Sequence, residues 1–409
     1  MTNNFSLIIT KSSLNYYVHL LMLIMVLFAG SALYSEDNVK YYIDIILGIN
    51  FITILYCIYK PFLLRKSFLA FSFYPFTWWM ILLFGFYLMH YALFPSYDDF
   101  NSDYVFFILV VMLNIIIWFR DISTENAIKI FISSCIWTSV LLILYIILNE
   151  WQMILLGATR IGDSAAGNVN TVGLYVGTFS LPCLYKIIIE NKKKYIPIYL
   201  VQAGFMLLTG SKKTLISIIL GFCIFYFFKN RLRLSHYIFP VLVALGGVYF
   251  VMENQYFYNI IGFRITDMLY TMGFDVSGGN YSHSTEIRED MMLMGLEAFF
   301  QSPIWGNGWF YFSQYSGLGT YSHNNYIELL VTYGLIGFFL YYSMFIFVLY
   351  KLYYKLRQSD LAKLFFAMVI IEMINNTASI TFYESPRSYI MLFFAYLAAN
   401  NLKPNYSVQ

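Results

Sequence analysis

Charge is what this chain most lacks. Only 11% of its 409 residues are Asp, Glu, Lys or Arg, while 60% are hydrophobic and the mean hydropathy is +0.64. That balance excludes an ordinary soluble domain, because apolar runs long enough to cross a bilayer recur from end to end. Cysteine is scarce as well. Cys57, Cys135, Cys183 and Cys223 all fall inside apolar runs, with no C-x-x-C spacing. They read as small buried hydrophobes, which excludes a disulfide framework and a cysteine zinc site. No small-residue cleavage site follows the first apolar run, so that run is expected to be retained as a span rather than removed as a signal peptide. A two-fold hydropathy repeat, the usual mark of carriers, is missing too. The formal net charge of +3 gives no reason to expect a nucleic-acid partner.

Hydropathy predicts an all-α, polytopic membrane protein of about twelve spans: 16–34, 41–59, 73–94, 104–119, 127–149, 169–189, 195–209, 214–228, 237–252, 326–350, 361–380 and 387–400. The expected organisation is a single membrane domain: nine spans in 1–252, one large outer loop at 253–322 with short amphipathic helices, and three spans in 323–409. With both termini cytoplasmic, 18 of the 25 Lys and Arg fall on the inner side, as insertion bias requires. The seven exceptions are Lys40, Arg160, Lys212, Lys213, Arg264, Arg288 and Arg387. Lys40 and Arg387 read as ordinary interfacial charges; the other five need another reason to be there.

The turn "LLTGSKKTLIS" joins two spans of about fifteen residues, each near 22 Å against a hydrocarbon core of about 30 Å. It should sit below the outer surface, where Lys212 and Lys213 either snorkel outward or face a wet cavity or an anion. In "GATRIGDSAAGNVNTVG", Arg160 precedes Asn168 and Asn170 at the mouth of the sixth span. Small residues there let backbone amides approach a ligand, and a guanidinium can hold two phosphate oxygens; the lesser alternative is that Arg160 pairs with Asp163 across a turn. The large loop offers Arg264 and Arg288. After a cap at Ser284 or Thr285, Met291, Met292, Leu296, Phe299 and Phe300 recur at helical spacing. Arg288 is thereby expected in the first turn of an amphipathic helix, paired with Glu289 or Asp290 or facing a phosphate.

His323 opens the tenth span beside Asn324, and the next turn carries Glu328. An imidazole of ordinary basicity suits the acceptance of a proton from a hydroxyl, though a histidine at a span end can be interfacial packing. Glu372, Asn375 and Asn376 form a polar stripe at i, i+3 and i+4 that either lines the same outer cavity or joins helices.

With those residues assembled, the chain resembles the O-antigen polymerase and O-antigen ligase superfamily of bacterial membrane glycosyltransferases. The resemblance rests on His323 and Asn324 followed by Gly334, Leu335 and Gly337, on Arg288 heading a helix that ends in Pro303, Gly306 and Gly308, on the Thr209–Lys212 turn, and on Arg160 before Asn170. It spans roughly residues 155 to 350. Lys212 departs from it, standing where the family usually has arginine, so bidentate phosphate binding there is in doubt. The resemblance implies transfer of a glycan from an undecaprenyl-pyrophosphate carrier onto a sugar hydroxyl at the periplasmic face of the bacterial inner membrane. On that reading His323, Arg288 and Arg160 are catalytic. Arg264, Lys212, Lys213, Asn168, Asn170, Asn324, Glu328 and Glu372 bind substrate. The partners are lipid-linked glycans and membrane lipid, with a chain-length regulator and a flippase alongside. The outer acidic residues show no metal-cage spacing, so metal-independent, inverting chemistry without a cofactor is expected. Polymerase is favoured over a ligase acting on lipid A core. Other rivals are a transferase of polyprenyl-phosphate monosaccharides built on Glu36 and Asp37, and a flippase with no chemistry of its own.

Overall fold

Long apolar stretches with few Gly or Pro breaks satisfy their backbone groups internally as helices, the form that lipid demands. The computed structural model describes residues 11–32, 75–94, 103–120, 122–155, 161–162, 169–229, 235–255, 258–263, 265–266, 283–379, 381–383 and 386–401, with isolated positions at 48–49, 51–52 and 55. No strand occurs among these described residues. Thirteen α-helices are described in chain order: α1 Lys11–Ala32, α2 Pro75–Leu93, α3 Asp103–Phe119, α4 Thr124–Leu155, α5 Val169–Ile188, α6 Ile196–Leu208, α7 Lys212–Lys229, α8 Ser235–Glu253, α9 His283–Gln301, α10 Tyr311–Ser316, α11 Asn325–Lys355, α12 Asp360–Asn375 and α13 Arg387–Asn401.

Eleven of the predicted spans coincide with helices to within a few residues; most of the second, with Cys57 and the Glu36–Asp37 pair, lies outside the described residues. Four helices, α2, α4, α5 and α11, combine the length and hydropathy of a bilayer crossing, and shorter apolar helices accompany them. The protein is a multi-pass membrane protein. Its centre is built from α5 and α13, which are buried on nearly every side. A helix that is apolar all round belongs in such a place. α12 packs on both, and α4, α7 and α11 surround them. Close approach of α5 to α7 depends on small residues: Gly173 meets Thr214 and Gly177 meets Ser217, a small-xxx-small seam. Cys135 and Cys183 are buried as expected, whereas Cys223 is exposed on α7.

α11 is broken at Gly334, where φ is 62° and ψ is −162°. The broken ends would leave orphan amides and carbonyls inside an apolar surrounding. The turn that follows α9 supplies all four partners. Asn307 N–H donates to Val331 O at 2.8 Å and Gly308 N–H to Thr332 O at 3.2 Å; Leu335 N–H donates to Pro303 O at 2.9 Å and Ile336 N–H to Ile304 O at 3.3 Å. The approach is backbone to backbone: a Cβ on Gly306 would lie 2.3 Å from Thr332 O, and one on Gly334 would lie 2.4 Å from Ile304 O. The Pro-x-x-Gly-x-Gly turn and the Gly-Leu-x-Gly of the span are therefore two halves of one interlock. After the break, 335–355 alone reaches roughly 31 Å at 1.5 Å per residue, a full hydrocarbon thickness.

Candidate functional site

The eleventh predicted span ends earlier than expected, and the reason lies beneath the site. α12 stops at Asn375, and the following chain turns to bind the start of α11. Asn325 N–H donates to Asn376 O at 2.8 Å, Asn325 Oδ1 accepts from Thr381 N–H at 2.8 Å, and Asn325 Nδ2 donates to Tyr342 OH at 2.9 Å. These bonds pin the first residue of α11. One position earlier, Asn324 caps the helix, its Oδ1 accepting from the amides of Tyr326 at 2.9 Å and Ile327 at 3.3 Å. Capping is the ordinary use of Asn at that place. The side-chain oxygen of Asn324, a residue expected to bind substrate, is thus engaged by its own helix.

His323, half-buried just before the cap, has φ at +54°. Its ring centroid lies 4.4 Å from that of Tyr321. Burial first, then the charge of Arg288, then that of Lys213, lower its pKa from the ordinary 6.5 to about 4. Charges from two other elements therefore act on the residues ahead of α11: Arg288 on α9, which packs against α11, and Lys213 at the start of α7. All three effects oppose protonation, so the imidazole is neutral at physiological pH. A neutral imidazole flanked by two cations can accept a proton while its neighbours hold an anion.

The helix α9 includes His283, so Arg288 stands in its second turn and not in the first, two or three residues farther from the helix N-terminus than expected. The benefit of the helix dipole to a bound phosphate is correspondingly smaller, because that effect is confined to the first turn. Arg288 itself is exposed. The inner face of α9 is Met291, Gly295 and Ala298, packed on Phe312, Ile327 and Val331; Met292, Leu293 and Phe300 are exposed. Arg288 is thus mounted on a helix that packs directly on the one His323 precedes.

Other predicted residues fall elsewhere. Glu328 is buried, and its Oε2 accepts the Ser322 amide at 2.9 Å. Asn170 is half-buried in the first turn of α5. Arg160, Asn168 and Arg264 lie outside the described residues, as does the side chain of Lys212. Described neighbours of two of these nonetheless converge on the turn between α6 and α7. Ile161 N–H donates to Leu208 O at 3.5 Å, and Ile265 packs against Leu207 and Leu208. Gly162 is held in turn by Glu150, whose Oε2 accepts its amide at 2.6 Å at a kink in α4. Glu150 was not singled out from the sequence, where it reads as an ordinary charge just past the end of the fifth predicted span.

One expectation about charge is corrected, and of the two readings open for Glu372 the geometry fits the joining of helices. Arg387 is not an interfacial charge: it is only 4% exposed, and its Nη2 donates to Glu372 Oε1 at 2.8 Å. Its Nη1 donates to Thr178 Oγ1 at 2.9 Å and Leu174 O at 3.2 Å, and the guanidinium lies 4.9 Å from the Tyr175 ring centre. Glu372, fully buried and also bonded by Ser388, joins α12 to α13 and α5 instead of facing an outer cavity. Removing one partner strands a buried charge. Arg387→Ala is therefore expected to destabilise the protein by about 3–5 kcal/mol, whereas Glu372→Leu with Arg387→Met is expected to be near neutral. Thermal unfolding of the purified variants in one detergent checks this.

Residues 197–342 match a family described as O-antigen ligase. The matched stretch runs from α6 to the middle of α11 and contains Lys212, Lys213, Arg264, Arg288, His323, Asn324 and Glu328. Arg160, Asn168, Asn170 and Glu372 fall outside it. No curated protein matches the chain. The match supports the O-antigen ligase and polymerase superfamily and, with it, a ligase- or polymerase-type role in polysaccharide biosynthesis.

Proposed function

We propose that this member of the O-antigen ligase and polymerase superfamily joins undecaprenyl-pyrophosphate-linked oligosaccharide repeat units into O-antigen or capsular polysaccharide at the periplasmic face of the bacterial inner membrane. The observation that carries the reading is an uncharged, half-buried His323 under the charges of Arg288 and Lys213, with the helix of Arg288 packed on the one that follows the histidine. His323 takes the proton of the acceptor sugar hydroxyl as its oxygen bonds to the anomeric carbon of the donor. The bond from that carbon to the pyrophosphate oxygen breaks, and its electron pair leaves with the polyprenyl pyrophosphate. Arg288, with Arg160 and Arg264 as further cations, meets the charge that develops on the leaving group; Lys213 and Lys212 hold the carrier's phosphates. Attack opposite the leaving group inverts the anomeric centre, and cations in place of a metal take the charge. Both termini lie in the cytoplasm, about twelve spans cross the membrane, and a flippase and a chain-length regulator act alongside. Asn168 and Asn170 belong to the carrier site on this reading.

The description of the matched family favours a second reading, transfer of finished glycan to lipid A core. Purified protein supplied with lipid-linked repeat units separates the two. Ladders of many repeats, lost with Arg288→Ala by about 10²-fold or more, support the polymerase. Product only when lipid A core is added supports the ligase. Activity abolished by Glu36→Ala and spared by Arg288→Ala would point to the monosaccharide transferase. The absence of any glycan product, with lipid-linked substrate crossing vesicles, would point to a flippase.

A further inference from the structure

His323 occupies a backbone conformation that a non-glycine residue adopts at a cost of about 1–2 kcal/mol. Such strain persists where the surroundings over-determine it. Here the following residues are fixed by the Asn324 cap and the bonds of Asn325. What fixes the residue before it is Glu328. From one turn into α11 its carboxylate reaches back past the cap and past His323 to the Ser322 amide at 2.9 Å. Ser322 Oγ then donates to Asn324 O at 3.1 Å, closing the turn over His323. A capping box would place the acid one position earlier and return it to the cap residue itself; this acid skips to the far side of the histidine. At 3% exposure, with one oxygen on a backbone amide, Glu328 presents no surface for a sugar or phosphate.

We propose that Glu328 is a positioning residue. By holding the Ser322 amide it keeps His323 in the left-handed turn that brings the imidazole to Arg288 and Lys213. This rests on His323 being the base of the proposed reaction, and it assigns Glu328 to the histidine's backbone in place of the substrate.

Two substitutions separate acceptor from charge. Glu328→Gln keeps an oxygen that can accept the amide, while Glu328→Met keeps the volume and removes the acceptor. Glu328→Met should lower the turnover number by about 10²-fold, the cost of misplacing a reacting group by an ångström, while KM for lipid-linked donor changes little; Glu328→Gln should stay near wild type. The second readout needs no turnover: the His323 imidazole is titrated by NMR in nanodiscs and identified by its loss in His323→Ala. The groups facing it are Arg288 on α9, Lys213 on α7 and Tyr321 on its own turn. In the wild type and Glu328→Gln the titration stays near 4; in Glu328→Met the released ring titrates upward, toward the solution value. A Glu328→Gln variant as inactive as Glu328→Met would overturn the proposal, because the negative charge would then be what matters. So would wild-type turnover and titration in Glu328→Met. If Glu328→Met does not fold, Glu328→Gln decides alone. If His323→Ala keeps full activity, the glycosyl-transfer reading fails while the titration still judges the positioning role.

Discussion

His323→Ala is expected to cut polymer synthesis by about 10²–10⁴-fold, the ordinary contribution of a general base, and the pH profile identifies the cause. In kcat/KM, which reports the free enzyme, the acid limb of the wild type should fall near 4 and not near 6.5. Burial penalises the imidazolium, and Arg288 and Lys213 repel it, so protons are lost at a lower pH than in solution. Deleting a neighbouring cation must move the limb upward. Arg288→Ala should shift it toward 6.5, and Lys213→Ala should do so less, since its charge acts more weakly on the ring. A pyrophosphate between the cations acts in the same direction, so the limb of kcat should lie above that of kcat/KM. Proton transfer into His323 would then become easier once donor is bound. The same shift affects stability with the opposite appeal. From pH 6.5 down to about 4 the unfolded chain binds a proton that the folded one refuses, so the fold loses stability as pH falls through that window. An acid limb at 6.5 in the wild type, unmoved by Arg288→Ala, would remove His323 from the role of base.

The share of this site that was legible in the sequence follows a physical divide. Helix positions were readable because lipid permits few alternatives, and the spans drawn by hydropathy lie over the helices with errors of a few residues. Arg288, Lys213 and His323 could be singled out because each is a polar group placed against the bias of its surroundings. What could not be read is pairing across helices. Arg387 at a span end has the same local sequence whether its guanidinium turns outward to the interface or inward to Glu372, since only the neighbouring helices α5 and α12 decide. The stripe of Glu372, Asn375 and Asn376 was visible, but its division into an ion pair and a clasp on Asn325 was not. The end of α12 was misjudged for a related reason: nothing in the local sequence states that the chain after Asn375 leaves the helix to bind the start of α11. Glycine positions were visible as motifs, yet nothing in the local sequence states that Gly306 and Gly334 face each other's backbones.

That interlock yields the other large effect. Gly334→Ala is expected to abolish folded, active protein, whereas Gly204→Ala, whose added Cβ meets nothing within 4 Å in α6, is expected to be neutral or to stabilise by up to about 1 kcal/mol as an alanine in a helix. Position 334 combines positive φ with ψ near −160°, a region essentially reserved for glycine, and strain there costs about 1–3 kcal/mol. The new methyl also meets the carbonyl of Ile304, which is backbone and cannot rotate away. Relief requires the turn to retreat, endangering four cross-chain hydrogen bonds that contribute about 0.5–1.5 kcal/mol each. Their loss exposes peptide groups where lipid offers no replacement. The turn also connects α9, which carries Arg288, to α11, which follows His323. Milder disruption should therefore separate stability from catalysis. Asn307→Ala removes a side chain that donates to Ala298 O at 2.9 Å while leaving the backbone bonds in place. It should lower the melting temperature modestly and turnover more than in proportion, with the acid limb drifting upward as Arg288 moves off the imidazole. Equal tolerance of alanine at 334 and 204 would mean that the two glycine motifs do not hold α9 and α11 together.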